Sequence, residues 1–505
     1  MSKEYSTENI RNIALIGHLG TGKSTLFDAM LCSGGQIGKI GNPDQGLTSD
    51  FDEDEKVRKI SIRSALGFVE HDGVKINIID TPGTSDFIGE SRPALQVADT
   101  AIVVIDAVEG VQNGTEKAWR YISENNIPCI FYINKMDKER TSYDKVLENI
   151  KNGLKANTIS LCIPQGEGDS FKGVVDLVSM NLMAPKGDNK PDSASAIPDD
   201  LKDDAELAKV SLMEKAADGD DELVDKYLEE ETLSDDEIKL GLGKLVASAR
   251  AYPVVCGEST KGIGAMNLMN IIKEFAPAPQ IGREYTALDV DDNTKETVIK
   301  SAADGDVCAV VWKTVIDQYA GKFTFLKIIS GTLLPDCEIF NVNKNEKERI
   351  SKIYTMVGNK QVDVPKLNCG DIGILVKLEK ASTGDTITGG KSSNILQIIK
   401  LPEPVFSYAV VPVNKPDVDK IGQYFNRISE ENPTIKYAFN AETSESVLSG
   451  MGERQLNIIL KTLKEKNKID VITSEPRVAY RETVSWAGLF PRDTSPVFKK
   501  ALRRQ

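Results

Sequence analysis

The sequence predicts a three-part chain: an α/β domain with an inserted subdomain, then a β-barrel domain, then a small ferredoxin-like α+β domain. Three observations support this prediction. Short apolar runs alternate with helical patterns over the first 150 residues, strand-and-turn patterns fill about residues 300–400, and two strand–helix–strand units span residues 405–472. Alternating strands and helices favour a parallel sheet with crossover helices, whereas consecutive short strands separated by turns favour a barrel.

Four runs in the first domain have the composition of strands buried on both faces. They are short, rich in β-branched residues and almost entirely apolar, and they cover residues 13–17, 76–80, 101–106 and 129–134. Each run ends in a polar residue or a glycine. Since ligands gather at the carboxyl ends of parallel strands, we expect a binding site where these four runs end.

The alternation is interrupted at about residues 160–245, which predict the inserted subdomain. Residues 186–206 are acidic and rich in turn-forming residues, so they predict a solvated loop that leads into helices. A strand at 253–257 and a helix at 264–277 then restore the α/β pattern. We therefore place the three domains at residues 1–280, 281–402 and 403–475, with a remaining segment at 476–505.

The third domain is predicted from two amphipathic helices that lie between alternating strands. Helices at 418–430 and 453–466 each carry apolar side chains at helical spacing on one face. Those side chains are Ile421, Tyr424, Phe425 and Ile428 in the first helix, and Leu456, Ile459, Leu460 and Leu463 in the second. Two such strand–helix–strand units form a ferredoxin-like domain.

Composition and charge argue against several classes of protein. The 505 residues are 40% hydrophobic, and the longest apolar runs are strand-sized, so no membrane span is expected. Seven scattered cysteines without a CxxC pair and only two histidines argue against a disulfide framework and a zinc site. The polar N-terminus lacks a secretory signal, which favours a cytoplasmic protein. A net charge of −14 argues against DNA or other broad nucleic-acid binding, although local basic patches would suffice for an RNA-rich partner.

Residues 17–24 fit the phosphate-binding pattern G-x-x-x-x-G-K-S between a strand and a helix. In that setting backbone N–H groups surround the phosphates, and the start of the helix adds its positive end. Lys23 would reach the β- and γ-phosphates, and the Ser24 hydroxyl would bind Mg²⁺. The candidate nucleotide-binding residues of this phosphate loop are Gly17, His18, Leu19, Gly20, Thr21, Gly22, Lys23, Ser24 and Thr25. The alternative is a glycine turn that only links strand to helix.

Two further segments predict the rest of the phosphate site. Asp80, in D-T-P-G, is placed to hold Mg²⁺ through water, and the Gly83 N–H to contact the γ-phosphate, although the tetrapeptide alone is a common turn. The Ser61 hydroxyl would complete the magnesium shell when GTP is bound. For the acidic run at 52–55 we expect a solvated charged loop.

The tetrapeptide N-K-M-D at residues 134–137 follows another buried strand and predicts the base that is bound. The Asp137 carboxylate can accept hydrogen bonds from N1–H and the 2-amino group of guanine, and adenine offers neither donor. Lys135 would pack along the ring, and Asn134 would brace the loop. Combined with the phosphate motifs, this segment favours GTP and GDP over ATP.

These residues and several longer stretches closely resemble bacterial elongation factor G and its elongation-factor-G-like paralogues. The matching stretches include "NIIDTPGTSDF", "YINKMDK", "SGTLLPD", "SGMGERQLNIIL" and "EPRVAYRETV", and the similarity runs from about residue 10 to 484. The resemblance implies a P-loop GTPase domain with an inserted subdomain, a β-barrel second domain and a ferredoxin-like third domain. It also implies a monomer that uses Mg²⁺, hydrolyses GTP to GDP and acts on the ribosome, with its RNA and proteins, during translation.

Three positions depart from the family pattern near the phosphates. Gly20 replaces an aspartate of the phosphate loop that is thought to help hold an ion. Thr84 replaces the histidine that positions the attacking water, which implies slow or atypically activated hydrolysis. Some elongation-factor-G-like paralogues also lack this histidine, which makes that branch the better match. Ser61 replaces threonine and keeps the hydroxyl. The candidates for hydrolysis are Lys23, Ser61, Gly83 and Thr84.

Two other sites are assigned through the resemblance. His18 corresponds to a common family histidine, for which we expect a structural role. Gly257, Glu258 and Ser259 align with the loop whose backbone N–H meets the guanine oxygen, with Glu258 and Ser259 in place of a small Ser-Ala pair.

The C-terminal segment departs from the family as well. The family continues into fourth and fifth domains, whereas no resemblance is found from residue 485 onward, and the tail carries Lys499, Lys500, Arg503 and Arg504. These basic residues could suit RNA, or the segment could come from a frameshift or truncation. Three functions therefore stay open: a ribosome-associated GTPase, a GTP-dependent ribosome-binding switch with weak or absent hydrolysis, and a fragment unable to support translocation.

Overall fold

A computed structural model describes residues 3–187, 191–292, 294–317, 321–397 and 401–479. Within them, five β-sheets and the helices packed on them follow one another along the chain in the predicted order. No helix in these ranges is both long and apolar enough to cross a membrane. The predictions for the basic tail fall outside the described residues.

The first domain is built on a seven-stranded sheet with the order β2-β3-β1-β4-β5-β11-β6. Its elements before the insertion are β1 (Ile10–Ile16), α1 (Lys23–Ser33), α2 (Glu53–Arg58), β2 (Ala65–His71), β3 (Val74–Asp80), α3 (Ile88–Val97), β4 (Thr100–Asp106), α4 (Asn113–Glu124), β5 (Cys129–Asn134), α5 (Tyr143–Leu154) and β6 (Thr158–Ser160).

Four of these strands were predicted from their apolar composition, and the structure confirms them. β1, β3, β4 and β5 are adjacent and parallel, and nearly all their residues are buried on both faces. The prediction missed β2, which pairs antiparallel with β3 at the edge of the sheet. β2 contains a glycine, a glutamate and a histidine, so it lacks the continuous apolar run of its neighbours.

The insertion forms a four-stranded antiparallel sheet, with the order β10-β9-β8-β7, and three helices. Its elements are β7 (Cys162–Gln165), β8 (Gly173–Asp176), β9 (Asn181–Pro185), β10 (Asp192–Ser195), α6 (Asp199–Ala217), α7 (Asp221–Glu230) and α8 (Asp235–Ala247), after which β11 (Tyr252–Cys256) and α9 (Ala265–Phe275) complete the domain.

The predicted solvated loop at 186–206 is wrong for much of its length. β10 pairs with β9 within it, and α6 begins at Asp199. The acidic residues that suggested a loop are favourable in the first turn of α6, because the positive end of the helix dipole stabilises them.

The second domain is β-rich, as predicted. Its elements are β12 (Tyr285–Asp289), β13 (Glu296–Ile299), β14 (Cys308–Asp317), β15 (Gly321–Ser330), β16 (Glu338–Asn341), β17 (Glu346–Arg349), β18 (Ile353–Val357), β19 (Lys360–Val364), β20 (Ile372–Val376), β21 (Thr386–Thr388) and β22 (Asn394–Leu396). β13, β12 and β22 form a small sheet, and the other eight strands form a larger one. Ile339 of β16 and Ile353 of β18 lie near opposite edges of the larger sheet yet share one apolar core, so that sheet curls around the core.

The third domain has the predicted strand–helix–strand repeats. Its elements are β23 (Phe406–Pro412), α10 (Val418–Glu431), β24 (Lys436–Asn440), β25 (Glu445–Gly450), α11 (Glu453–Asn467) and β26 (Val471–Ser474). The sheet order is β24-β25-β23-β26. Each predicted helix face contributes to the core, through Ile421 and Phe425 of α10 and through Leu456 and Leu463 of α11.

Candidate nucleotide-binding site

Four loops that are far apart in the sequence meet at the carboxyl edge of the central sheet. They follow β1, β3, β5 and β11, which are parallel strands of the same sheet, so their carboxyl ends share one edge. These loops carry the candidate residues at 17–24, 80–84, 134–137 and 257–259. The sheet topology therefore brings the predicted phosphate and base residues together.

Lys23 lies at the centre of the phosphate loop. It is buried, and its Nζ donates to the carbonyl oxygens of Gly17 at 3.1 Å and His18 at 2.8 Å. Burial lowers the pKa of Lys23 to about 8, against the opposing effect of Asp80 and Asp50. A buried ammonium with only carbonyl partners is well placed to bind an anion, since an anion would balance its charge.

The backbone of the phosphate loop is also arranged for an anion. For the N–H groups of residues 18–22, no acceptor is found among the described residues. Leu19 and Gly20 lie in the loop itself, Thr21 donates its hydroxyl to His18 O, and Thr25 is buried in the first turn of α1. Unpaired N–H groups before a helix start form a concave site for phosphate oxygens.

The His18 ring is bound within the protein. Its Nδ1 accepts a hydrogen bond from the Gly114 N–H at the start of α4, at 3.2 Å. This contact supports the expected structural role of the side chain, while the His18 carbonyl belongs to the set around Lys23.

Gly20 leaves room for a larger residue. Its φ is +83°, and a β-carbon there would meet no atom within 4 Å. The left-handed backbone is one that aspartate tolerates better than most residues. An aspartate at this position would therefore fit the loop.

The candidate metal residues are clustered. The hydroxyls of Ser24 and Ser61 lie 3.0 Å apart, although 37 positions separate them. Asp80 lies beside the Ser24 hydroxyl, which acts to lower the pKa of its carboxyl, and the Asp80 Oδ1 is buried without a partner among the described residues. Asp50 lies close to Ser61 and Asp80, and its Oδ1 is likewise buried without a partner among the described residues. Burial raises the pKa of both carboxyl groups, and Asp80 raises that of Asp50 further.

This donor set fits Mg²⁺. The cluster offers hydroxyl and carboxylate oxygens, which are the ligands that this hard cation prefers. The described residues contain no group of three His, Cys, Asp or Glu side chains able to hold a metal alone. Mg²⁺ usually keeps several waters and takes further ligands from substrate phosphates. Sequence reasoning missed Asp50, which no motif marks.

The acidic run at 52–55 is not the solvated loop that we expected. Asp52 caps α2, and Glu55 is buried and accepts N–H bonds from Ile62 at 2.9 Å and Arg63 at 3.0 Å. Asp54 binds Lys461 of α11 at 3.1 Å. These acids therefore fix the segment that carries Ser61, where the sequence pattern alone suggested only exposed charge.

Gly83 packs closely on the phosphate loop. A β-carbon at Gly83 would lie 2.5 Å from Lys23 Nζ and 2.8 Å from the Leu19 N. Gly83 is therefore beside the group expected to meet the terminal phosphates.

Thr84 follows Gly83, and its hydroxyl is buried. Its Oγ1 is buried and has no hydrogen-bond partner among the described residues. Thr84 lines a cavity of about 90 Å³ between α3 and α4, whose lining includes the apolar Ile88 and Leu95 as well as Gly17 and Gly83 beside the phosphate loop. The hydroxyl is thus not turned to open solvent at the phosphate loop.

The residues predicted to select and frame the base lie at the end of β5. Asn134 donates to the Thr21 carbonyl at 2.8 Å, which ties this loop to the phosphate loop. Lys135 Nζ donates to the Gly20 carbonyl and to Asp106, each at 2.7 Å. Asp137 Oδ1 is buried without a partner in the described part of the chain. That oxygen is an unfilled acceptor at the place where guanine donors are expected.

The last loop follows β11 and contains Gly257, Glu258 and Ser259. Their N–H groups donate to Ile133 O, Ile263 O and Asn134 Oδ1, respectively, at 2.9, 2.8 and 3.1 Å. The Glu258 carboxylate accepts the N–H groups of Thr260 and Lys261 within the same loop. The loop is therefore well ordered by its own bonds, and its contact with the base stays a prediction.

Comparisons with known proteins cover the three domains. The family model described as the elongation factor Tu GTP binding domain matches residues 8–278. The models for elongation factor G domain 2 and elongation factor G domain III match residues 306–390 and 401–475. A crystal structure of a protein from Thermus thermophilus is similar with a TM-score of 0.83 and 26% sequence identity, over 93% of this chain and 68% of that chain.

Proposed function

Because this chain belongs to the elongation factor G family of GTP-binding translation factors, we propose that it binds GTP and GDP with Mg²⁺ and hydrolyses GTP to GDP and phosphate. The proposal also places it on the ribosome, as a cytoplasmic monomer. Family membership supports the guanine nucleotide, and the geometry of the chain's own residues supports the assignments below.

The observation that carries the proposal is the unfilled Asp137 acceptor beside a preformed phosphate loop. Its buried Oδ1 has no partner in the described chain, and Lys138 and Lys261 lie 3.6 and 3.8 Å from Oδ2. A desolvated carboxylate oxygen is costly unless a donor reaches it. The N1–H and 2-amino groups of guanine are donors of the required kind.

We assign binding of the nucleotide phosphates to the N–H groups of the phosphate loop, to Lys23, and to the cluster of hydroxyl and carboxylate oxygens. Ser24, Ser61 and Asp80, with Asp50 beside them, would hold Mg²⁺, which when bound neutralises charge on the β- and γ-phosphate oxygens. Lys23 exchanges carbonyl partners for phosphate oxygens, and the Gly83 N–H reaches the γ-phosphate. Ser61 changes partners when the γ-phosphate leaves, which gives the site two states.

A GTP-dependent binding switch with weak hydrolysis is the second candidate. Thr84 favours it, because its hydroxyl is buried without a partner among the described residues and cannot act as a cation. Gly20 favours it too, since this residue supplies no carboxylate near the phosphates. The third possibility is a fragment that cannot support translocation. Such a fragment can also bind nucleotide, so distinguishing it from the other two candidates requires ribosome assays in addition to binding assays.

The test measures binding and turnover separately. A fluorescent GDP analogue should bind at micromolar concentration or tighter, with Mg²⁺ slowing its release and with GTP but not ATP displacing it. Phosphate release is then followed with and without ribosomes. Stimulated release supports the GTPase, and tight GTP binding without release supports the switch. Absence of guanine-nucleotide binding would overturn both.

A further inference from the structure

Asp192 connects the inserted subdomain to the loop that follows β11. It opens β10 and is only 5% exposed. Its Oδ2 accepts the Gly264 N–H at 2.7 Å, and its Oδ1 is buried without a hydrogen-bond partner among the described residues. Burial raises the pKa of Asp192 to about 6, against the opposing effect of the nearby Gly264 and Met266 N–H groups. A buried carboxylate from a separate sheet thus holds the start of α9.

Gly264 ends a loop that closes on itself. Glu258 and Ile263 exchange two backbone hydrogen bonds, at 2.8 and 2.9 Å. The Tyr132 hydroxyl donates to the Ile263 carbonyl at 3.3 Å. Because the loop is closed just before Gly264, fixing Gly264 also fixes the position of the closed segment 258–263.

The other side of this loop contacts the predicted base and phosphate residues. The Ser259 N–H and hydroxyl donate to Asn134 Oδ1 at 3.1 and 2.8 Å. Asn134 in turn donates to the Thr21 carbonyl at 2.8 Å. A continuous series of hydrogen bonds and loop backbone therefore leads from Asp192 to the phosphate loop.

We propose that Asp192 is a positioning residue for guanine-nucleotide binding, which acts by holding the 258–264 loop against Asn134. It touches no nucleotide atom and works through the loop. The inference rests on the proposed function, since it concerns the same nucleotide site. It also gives the inserted subdomain a role in nucleotide affinity.

The first experiment compares Asp192→Ala with two controls by the dissociation rate of a fluorescent GDP analogue. Loss of a hydrogen bond to a charged acceptor predicts about tenfold faster release from Asp192→Ala. Asp192→Asn keeps an acceptor oxygen at the same distance and should stay close to the wild type. Asp203→Ala, an exposed acid on α6 of the same subdomain, should also release GDP at the wild-type rate.

A double-mutant cycle separates positioning from general stability. If Asp192 acts through Ser259 and Asn134, then Asp192→Ala and Ser259→Ala should be non-additive, and the double variant should release GDP no faster than the weaker-binding single variant. A lower melting temperature of Asp192→Ala with unchanged GDP release would overturn the proposal. So would fully additive effects.

If Asp192→Ala does not fold, hydrogen exchange of the wild-type protein still tests the proposal. Binding of GDP should slow amide exchange in β10 as well as at residues 257–264, and unchanged exchange in β10 would overturn the proposal. A wild type that binds no guanine nucleotide would contradict the proposed function itself. A wild type that binds GDP normally while the Asp192 variants release it unchanged would contradict this inference alone.

Discussion

At the scale of single residues, the site combines charges and acceptors that have no partner of their own. In the described residues, Asp137 Oδ1 and Asp80 Oδ1 are both buried without a hydrogen-bond partner, and the Lys23 ammonium group donates hydrogen bonds only to carbonyl oxygens. Such groups are costly in an isolated fold. We expect such groups to cluster where a charged ligand binds, and here they cluster at one edge of the sheet.

The base preference depends on Asp137. Replacing it with asparagine turns one acceptor oxygen into an NH₂ donor, which repels the N1–H and 2-amino donors of guanine and suits the 2-oxo group of xanthine. We expect Asp137→Asn to lose about 3 kcal/mol of GDP binding, roughly 150-fold, and to gain binding of XDP. Competition of GDP and XDP against a fluorescent nucleotide measures both changes. Asp144→Asn, on the outside of α5, serves as the control; unchanged GDP affinity in Asp137→Asn would contradict the assignment.

Glu55 makes stability depend on pH. Burial raises its pKa from 4.5 to about 7, so the folded protein holds this proton more tightly than the unfolded chain. The contribution is fully present below about pH 4.5 and is lost as the pH rises through about 7. We expect the wild type to lose about 2–3 kcal/mol between pH 5 and pH 8 relative to Glu55→Gln, whose amide keeps an acceptor for the N–H groups of Ile62 and Arg63.

Urea unfolding of both proteins at the two pH values checks this prediction. The neighbouring Glu53 is exposed on the same helix, so Glu53→Gln should track the wild type. A difference between wild type and Glu55→Gln that does not change with pH would show that the buried carboxyl is not protonated at pH 5.

At the scale of elements, the sequence predicts most of what builds the site and misses what supports it. The strands β1, β3, β4 and β5 follow from continuous apolar runs, because burial on both faces leaves no polar alternation. The motifs then predict which loops meet at the carboxyl edge. β10 and α2 could not be predicted in the same way. Their acidic residues look solvated until another part of the chain supplies partners, as Gly264 does for Asp192 and Lys461 does for Asp54.

The contact between α2 and α11 joins the segment before Ser61 to the third domain. Asp54 is 13% exposed and Lys461 35% exposed, and they form an ion pair at 3.1 Å. Because the lysine is partly solvated, we expect Asp54→Lys to lower the free energy of unfolding by only about 1 kcal/mol. Combining it with Lys461→Asp should restore most of that loss, as urea unfolding can measure. Lys56→Ala removes the exposed pair within α2 and should change little; failure of the charge swap to restore stability would contradict a direct contact.

At the scale of the whole molecule, buried ion pairs connect the first domain to the β-rich second domain. Three lysines take part, each opposite an acid of the other domain: Lys327 with Asp99, Lys75 with Asp371, and Lys313 with Glu90. Glu90 lies on α3, which follows the Gly83 loop, and Lys313 also donates to the Ser64 carbonyl just after the Ser61 segment. The second domain therefore contacts both segments that are expected to change with the nucleotide.

The pair of Lys327 and Asp99 is the most buried of the three, so we use it to test how strongly the ion pairs hold the two domains together. Both side chains are 1% exposed, and Lys327 Nζ donates to Asp99 at 2.6 Å, to the Val97 carbonyl at 2.8 Å and to the Tyr285 hydroxyl at 3.1 Å. Burial acts to lower the pKa of Lys327, but Asp99 and Tyr285 raise it above its ordinary value, so the lysine stays charged. Lys327→Met fills a similar volume but leaves the Asp99 carboxylate without its cation. We expect a loss of about 3–5 kcal/mol in the free energy of unfolding, because an uncompensated buried charge costs more than the pair contributes.

Urea unfolding should show this loss, and adding Asp99→Asn should recover part of it by removing the unpaired charge. The matched control is Lys347→Met, which breaks an exposed pair with Glu338 in the same eight-stranded sheet, where both side chains are more than 60% exposed. That variant should lose no more than about 0.5 kcal/mol. If Lys327→Met were as stable as Lys347→Met, the pair of Lys327 and Asp99 would not help to hold the two domains together.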